Sequence, residues 1–566
     1  MRRDIGRLAP AIALLLLGGS ITAGLFFMML SGVGFVPALG GSVASFDAMG
    51  AVLSDPRLPA SVRATLTAGI AATLVALVLA IAVVARLDPL GTGRDCPARW
   101  SQRLAVAILA TPHAALALGL AFLLAPSGWI VRLVNLATGL FPLPPDLPLI
   151  QDRHGFALAV ALVIKETPFL IVALLTALGR IDARATLQLA GTLGYGRHMA
   201  WIKLVLPQAY PLVRFPVLAV LAYGLSVVDM SLILGPASPP TLPVLILQWA
   251  NDPDLARRFM AGAGAVLQLG LVAGALILWR LGETVLARLS RGWLVAGRRI
   301  WPPWLARVAL GLAGLLALLL VMAAAGALIA LITWSVAAAW HYPSILPDQF
   351  TAANWQRAAT GLAAPLGSSI ALALTASGLS LLLAVACLEH EKVLRPRLVR
   401  RSERLLFLPL LVPDISFLVG IHVLLLLFGL NGRWPGVLWL HLLFVFPYVF
   451  LALKEPWRQL DPRFERVALA LGTSTWRTFW CVKVPLLAGP LAWSAAIGGA
   501  VSLSLYLPTV LAGEGRIVTL ASEAITLSSG GDRRVVGVYG VAQATLTGLV
   551  FLSAMLVLRH ARWRQP

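Results

Sequence analysis

The sequence predicts an all-α, polytopic integral membrane protein of about twelve transmembrane helices, arranged as two parallel six-helix repeats. Three observations carry that expectation. The composition is too apolar for a water-covered surface, a dozen apolar runs have bilayer length, and one sequence pattern occurs twice. Of the 566 residues, 59% are hydrophobic and 12% charged, with a mean hydropathy of +0.87. An ordinary soluble domain carries about twice that charged share, so a soluble enzyme is excluded. The 45 Lys and Arg against 24 Asp and Glu give a net charge of +21, which in a soluble chain would point to nucleic acid. In a bilayer protein the same excess marks cytoplasmic loops, and no nucleic-acid partner is expected.

A run needs about 20 apolar residues to cross roughly 30 Å of hydrocarbon. Such runs fall at about 9–30, 64–85, 104–126, 155–179, 211–234, 260–279, 308–333, 367–388, 405–429, 436–453, 488–512 and 535–558. The first follows Arg2, Arg3 and Arg7 and could pass for a secretory signal with a cleavage site near Val43-Ala44-Ser45. Its apolar stretch is longer than a signal core of about 7–15 residues, so it is read as a retained helix. With both termini cytoplasmic, Lys and Arg favour the inner side about threefold, and an even number of spans follows. The expected location is a bacterial-type inner membrane, crossed many times. Cys96, Cys387 and Cys481 then lie on or near the reducing side, with no paired-cysteine motif, so neither a disulfide nor a structural metal is expected.

The repeat appears first in two cytoplasmic loops. Gly194 is followed by Leu204-Val205-Leu206-Pro207, and Gly472 by Val482-Lys483-Val484-Pro485 at the same spacing, an offset of 278 residues. Downstream the offset holds for Gly235 and Gly513, Thr241 and Thr519, and Asp254 and Asp532. Upstream it becomes 279 for Pro168 and Pro447, and for Asp182 and Asp461. It is 301 for Pro112 and Pro413, and for Gly119 and Gly420, so the first half carries an insert around 127–150. Six spans per half put both halves in the same orientation, about an axis along the membrane normal. The expected division is 1–285 for the first repeat, 286–306 for a basic cytoplasmic linker and 307–566 for the second repeat. The linker, with Arg288, Arg291, Arg298 and Arg299, reads as a solvated basic segment.

Each repeated loop reads as a rigid elbow: a short helix, a Gly that permits a tight turn, a second short helix, and a Pro that restarts a span. Thr473, Ser474 and Thr475 offer N-caps for the helix that carries Trp476, Phe479 and Trp480. Aromatic residues on a cytoplasmic elbow suit either a partner's pocket or the membrane interface.

These loops, 182–210 and 455–487, resemble the "EAA" loop of binding-protein-dependent ABC importer permeases, in which Glu-Ala-Ala precedes a Gly and then Ile-x-Leu-Pro. The matching positions are Gln188-Leu189-Ala190, Gly194, Leu204 and Leu206-Pro207, then Arg466-Val467-Ala468, Gly472, Val482 and Val484-Pro485. The leading Glu is absent from both, with Gln188 and Arg466 in its place and Glu465 one position early. The resemblance covers nearly the whole chain. It implies that these residues, with Trp476, form coupling helices docking on an ATPase subunit. The fused two-repeat form is similar to permeases of thiamine and ferric-iron importers. The stretches 235–242 and 528–534 are closest to a thiamine-type group. The implied partners are an ATPase dimer on the cytoplasmic face, a periplasmic or extracellular solute-binding protein, and membrane lipid.

None of the five Lys residues follows a Gly, so the chain holds no GxxxxGK[ST] phosphate loop. ATP and Mg are expected on the partner subunit, and this chain is read as a transport subunit without catalytic residues or cofactors of its own. Lys165-Glu166-Thr167-Pro168 sits inside the fourth span, where each charge costs about 2.5–3.5 kcal/mol unless paired or hydrated. Candidate partners are Asp229, His113, Asp414 and His422. Together they are read as a hydrated translocation path or as a static salt bridge. Pro168 and Pro447 are expected to kink their spans. Outer loops with Trp249, Asn251, Asp252, Asp254, Glu514, Glu523 and Asp532 are candidates for receiving a docking protein. The alternative function is an ion-gradient-driven secondary transporter, since two parallel six-helix halves also describe the major facilitator architecture. The loop 86–103 lacks the Gly-x-x-x-Asp-Arg-type signature usual there.

Overall fold

The structure is a computed structural model that describes residues 2–37, 40–87, 97–297, 299, 302–391 and 408–563. Its regular structure is helical throughout the described residues. Ten helices there are long and apolar enough to cross a bilayer, an eleventh span is two helices meeting at 74°, and the shorter apolar helix Asp414–Leu427 completes the set.

In the first half the spans are α1 (Leu8–Gly32), α2 (Leu58–Arg86), the pair α3 (Pro97–Ala110) and α4 (His113–Leu124), α6 (Phe156–Leu178), α8 (Arg197–Ser226) and α11 (Leu255–Val295). Shorter helices are α5 (Trp129–Thr138), α7 (Ala183–Thr192), α9 (Asp229–Leu234) and α10 (Leu242–Ala250). The second half holds α12 (Pro303–Val336), α13 (Ala353–Glu391), α14 (Asp414–Leu427), α15 (Trp434–Gln459), and the bent pair α17 (Thr475–Leu486) and α18 (Ala488–Ser504). It ends with α21 (Arg533–Trp563), and its shorter helices are α16 (Pro462–Ala470), α19 (Leu507–Gly513) and α20 (Leu520–Ser528).

Within each half the same three spans pack together: α2, α6 and α8, and correspondingly α13, α15 and α18. The outermost spans cross over. Helix α1 packs on α13 and α14 of the second half, and α12 packs on α2 and α4 of the first. Small residues permit this. A Cβ on Gly420 would lie 1.7 Å from the Gly24 carbonyl oxygen, and one on Gly119 would lie 2.3 Å from the Ala327 oxygen. Without a hydrophobic drive between helices in lipid, such close backbone approach is what makes association favourable.

Several expected spans are divided or extended. The run 104–126 is two helices, because Pro112 lacks an N–H and disfavours helical backbone at Thr111. The runs 211–234 and 488–512 are interrupted where Val227 and Leu505 turn extended, at ψ 131° and 111°. Pro168 and Pro447 lie inside unbroken helices, so the breaks fall elsewhere. Most of the expected linker is helix, since α11 runs on to Val295 and α12 begins at Pro303. The start of the run 405–429, together with Cys96 and Arg298, lies outside the described residues.

The insert at 127–150 forms α5 and an extended segment that clasps the loop between α12 and α13. Arg132 donates to the His341 and Ser344 carbonyls and stacks over Trp340 at 4.9 Å, and Trp129 Nε1 donates to the Ile345 carbonyl at 2.8 Å.

The crossover predicts a sharp difference between glycines. Gly420→Val should lower the thermal midpoint of the detergent-purified protein by more than the ~1–3 kcal/mol of ordinary overpacking implies. Gly378→Val, with no atom within 4 Å of its Cβ position, should leave it unchanged.

Candidate functional site: two elbows and a mid-membrane polar cleft

Both elbows share one backbone plan, an Asp-capped short helix closed by a left-handed Gly. Asp182 caps α7 by accepting from the Ala185 N–H at 3.0 Å, and Asp461 caps α16 from the Arg463 N–H at 2.8 Å. Each helix ends in a Schellman turn. Tyr195 N–H reaches the Ala190 carbonyl at 2.9 Å and Gly194 N–H the Gly191 carbonyl at 3.0 Å. Thr473 reaches Ala468 at 3.2 Å and Gly472 reaches Leu469 at 3.0 Å. The turn requires a left-handed residue, which Gly194 (φ 78°) and Gly472 (φ 82°) supply. The Gly spacing of the loop therefore has a backbone cause.

Ala190 and Ala468 are buried at the equivalent turn position, whereas Gln188 and Arg466 are exposed. Leu204, Leu206, Val482 and Val484 are half-buried, and Pro207 and Pro485 are exposed. Of the three expected caps, Ser474 is the one that accepts, from the Arg477 N–H. Trp476 is 60% exposed and forms an aromatic group with Phe479 and Trp480, with ring centroids 6.3 and 5.6 Å from its own. Leu189, Leu193, Val467 and Leu471 are exposed apolar residues at matching positions of the two elbows.

The elbows are anchored differently, by lysines that sequence reasoning passed over. Buried Lys483 pairs with Glu389 at 2.6 Å and Glu465 at 3.3 Å, tying the second elbow to the end of α13. Arg458 pairs with Glu391 beside it. Buried Lys203 instead donates to the Ala296 carbonyl at 2.8 Å and lies over Trp293, while the Gly196 N–H donates to the Arg299 carbonyl at 2.9 Å. The segment joining the halves is thus seated on the first elbow. Burial of Lys203 and Lys483 in both loops was the available signal, but it shows only in three dimensions.

In the membrane, Lys165 is 3% exposed and its ammonium donates to the carbonyls of Ile108, Leu109 and Thr111 at 3.2, 3.0 and 2.5 Å. These are backbone acceptors freed where α3 stops before Pro112. Its hydrogen-bond partners are therefore carbonyls, and none of the four side chains expected. Glu166, Asp229, Asp414 and His113 nevertheless share its neighbourhood. Glu166 and Asp229 feel the Lys165 charge, Asp414 feels Asp229, and the His113 ring lies 5.4 Å from Tyr223. Tyr223 and Tyr448 lie within the field of Glu166 and Asp414. His422 is placed apart, in the C-terminal half of α14, where Nδ1 is 2.9 Å from the Leu511 carbonyl oxygen and Nε2 is 3.8 Å from Glu514. Phe444 and Val445 stand opposite Lys165 and Glu166 in the second half, and Phe444 stacks on Phe417.

Other helix breaks are satisfied by residues not singled out in the sequence. Buried Gln268 donates to the Leu225 carbonyl at 2.8 Å, and buried Gln543 to Leu503 at 3.1 Å, one at each interrupted fifth span. Thr65 and Ser369 hydroxyls accept from the first N–H groups of α10 and α20, each at 2.9 Å. His441 bridges the hydroxyls of Ser502 and Thr509 at 2.8 and 3.0 Å. A polar residue in the sixth span of each half was the sequence signal for the glutamines.

Among the residues expected in outer loops, Trp249 is 1% exposed and belongs to the core, so it is no docking residue. Asp532 is held by Arg534 at 3.0 Å, and that guanidinium lowers its carboxyl below the usual range. No group of three or more His, Cys, Asp or Glu among the described residues is arranged to hold a metal ion.

The chain shares 30% identity over 519 residues with an inner membrane ABC transporter permease protein, YnjC, of Escherichia coli K12, covering 91% of this chain and 90% of that protein. It therefore belongs to the permeases of ABC transporters, and is a multi-pass inner-membrane transport subunit. A shorter likeness, 28% over 149 residues, is to the molybdenum transport system permease protein ModB of Haemophilus influenzae, covering 22% of this chain and 63% of that one. No protein-family model matches the chain. ABC permeases work with ATPase and substrate-binding partners in general, so partners of both kinds are implied.

The Lys165 contacts predict that Lys165→Met lowers stability by about 2–3 kcal/mol or more, because three mid-membrane carbonyls lose their donor. Glu166→Gln, which removes no hydrogen bond, should shift the thermal midpoint little. Thermal unfolding monitored by size-exclusion fluorescence checks both.

Proposed function

We propose that this permease imports a small solute by coupling two cytoplasmic elbows to a cleft at the middle of the membrane. The observation that carries the reading is the paired Schellman elbow, repeated at Gly194 and Gly472 with its capping Asp, buried Ala and exposed apolar residues in register. In this proposal Gln188, Ala190, Gly194, Leu204, Leu206 and Pro207 form the first coupling loop. Arg466, Ala468, Gly472, Trp476, Val482, Val484 and Pro485 form the second. Each docks in a groove of one subunit of an ATPase dimer, which binds ATP and Mg and hydrolyses the nucleotide.

Residues 1–285 and 307–566 act as the two permease repeats, and both termini face the cytoplasm. A solute-binding protein delivers cargo at the outer face. Lys165, Glu166, His113, Asp229 and Asp414 line the path, with Lys165 also holding the broken third span, and His422 lies nearer its outer entrance. The finer assignment, to the thiamine and ferric-iron type of importer, rests on the fused two-repeat form and on the stretches 235–242 and 528–534.

The elbow reading predicts that the double variant Gly194→Pro, Gly472→Pro loses at least tenfold of the ATPase retained in a pull-down of the solubilised protein, because Pro holds φ near −65° where the turn needs a positive value. Equal retention by a folded double variant would refute the docking role.

A further inference from the structure

Helix α11 is longer than a span requires. Its 41 residues measure about 60 Å, twice the roughly 30 Å of hydrocarbon in a bilayer. The apolar run ends at Arg280, and 280–295 continue as helix beside the start of α8. There Glu283 accepts from the Tyr210 hydroxyl at 2.6 Å, pairs with Arg214 at 3.0 Å and pairs also with Arg280. It is the one acidic residue between 255 and 299, so the segment's carboxylate is already engaged within the protein. Against it stand Arg280, Arg288, Arg291, Arg298 and Arg299, a clear positive balance.

Steps of three and four residues place Leu278, Leu281, Val285 and Leu289 on one face of this helix. All four are exposed, Leu289 by 76%, while the half-buried positions Glu283, Ser290 and Leu294 lie on another side. Exposed Ile277 and Leu278 belong to the span itself, where such residues meet lipid, so the row carries a lipid-facing surface past the end of the span without a break. Exposed Arg288, three residues beyond Val285, and Arg291, three further on, border the row. An apolar row edged by arginines, with no acidic residue to spare, fits an anionic bilayer surface. Its continuity with the span favours lipid over a protein partner.

The end of the same segment is fastened to the first elbow. The Ala296 carbonyl accepts from Lys203 Nζ at 2.8 Å, the Arg299 carbonyl accepts from the Gly196 N–H at 2.9 Å, and the Arg299 guanidinium lies over the Tyr195 ring. Resting on the reading that places the elbows in the cytoplasm, we infer that 280–295 is a docking surface for the inner leaflet. Leu281, Val285 and Leu289 enter the headgroup boundary, and Arg288 and Arg291 pair with anionic phosphodiester headgroups. Lipid held there steadies the segment on which the first elbow is seated.

The test places a nitroxide on Leu289→Cys in the full-length permease, with Cys96, Cys387 and Cys481 replaced by Ser. Nanodiscs are made of phosphatidylcholine alone or with one part in three of phosphatidylglycerol. Collision of the label with oxygen is compared with its collision with a water-soluble nickel chelate. With phosphatidylglycerol the label should favour oxygen, and in phosphatidylcholine alone it should shift toward the chelate. The double variant Arg288→Gln, Arg291→Gln should cause the same shift in the anionic nanodiscs and lower the affinity of the detergent-purified permease for phosphatidylglycerol about tenfold or more. A label open to the chelate in both lipids would overturn the inference, as would equal protection in both. Protection that arises only when the ATPase is added would overturn it too, and would assign the row to that subunit. ATPase retention is measured on the same preparations. Retention with an unprotected Leu289 label removes this inference alone, whereas no retention by the unlabelled permease removes the coupled-importer reading beneath it.

Discussion

Hydrocarbon offers no water to a broken backbone, and the whole arrangement depends on how this chain meets that constraint. Spans three, five and eleven are interrupted inside the protein, and every interruption exposes carbonyls or N–H groups that must find partners. Lys165 serves the third span, Gln268 and Gln543 serve the fifth and eleventh, and Thr65 and Ser369 receive the N–H groups of the short helices that follow. The same side chains hold the interrupted ends in place. Polar side chains at mid-depth are therefore a consequence of the breaks, and the breaks are tolerable only because those side chains are there.

The crossing of α1 and α12 into the opposite halves makes the two halves a single unit. Backbones touch where Gly24 meets Gly420 and Gly119 meets Ala327, so the first span of each half braces the third span of the other. The elbows are held for a reason local to each: an Asp cap at the start, a left-handed Gly at the end and a buried Lys beneath. The two Lys anchors differ, one on acidic residues at the end of α13 and one on the segment joining the halves. Each elbow is thereby tied to a long helix that reaches into the membrane.

Much of this was legible in the sequence, where local chemistry decided it. Apolar length marked the spans, and the offset of 278 residues exposed the repeat. The Gly and Asp positions foretold two equivalent elbows because a Schellman turn and an N-cap are set within one stretch of chain. Non-local facts were not legible. Nothing in Ser226-Val227-Val228 announces a break, because no Pro or Gly stands there and the interruption is made tolerable by Gln268 from another span. Pro168 and Pro447 drew attention but leave their helices continuous. Lys165 looked like half of a salt bridge because a sequence shows side chains and hides orphaned carbonyls. Trp249 looked like a loop residue and is core, because it lies in α10 and packs against the Gly264 stretch of α11.

The central claim is that elbows and cleft form one device, so that motion imposed by an ATPase changes which side of the membrane the cleft faces. The most direct measurement places a cysteine at Tyr448, with Cys96, Cys387 and Cys481 replaced by Ser, in the complex with its ATPase reconstituted in vesicles. A membrane-impermeant thiol reagent is then applied from each side, with and without nucleotide trapping. The account predicts reaction from one side in the nucleotide-free complex and from the opposite side in the trapped complex. Equal reaction in both states, or none from either side, would contradict it.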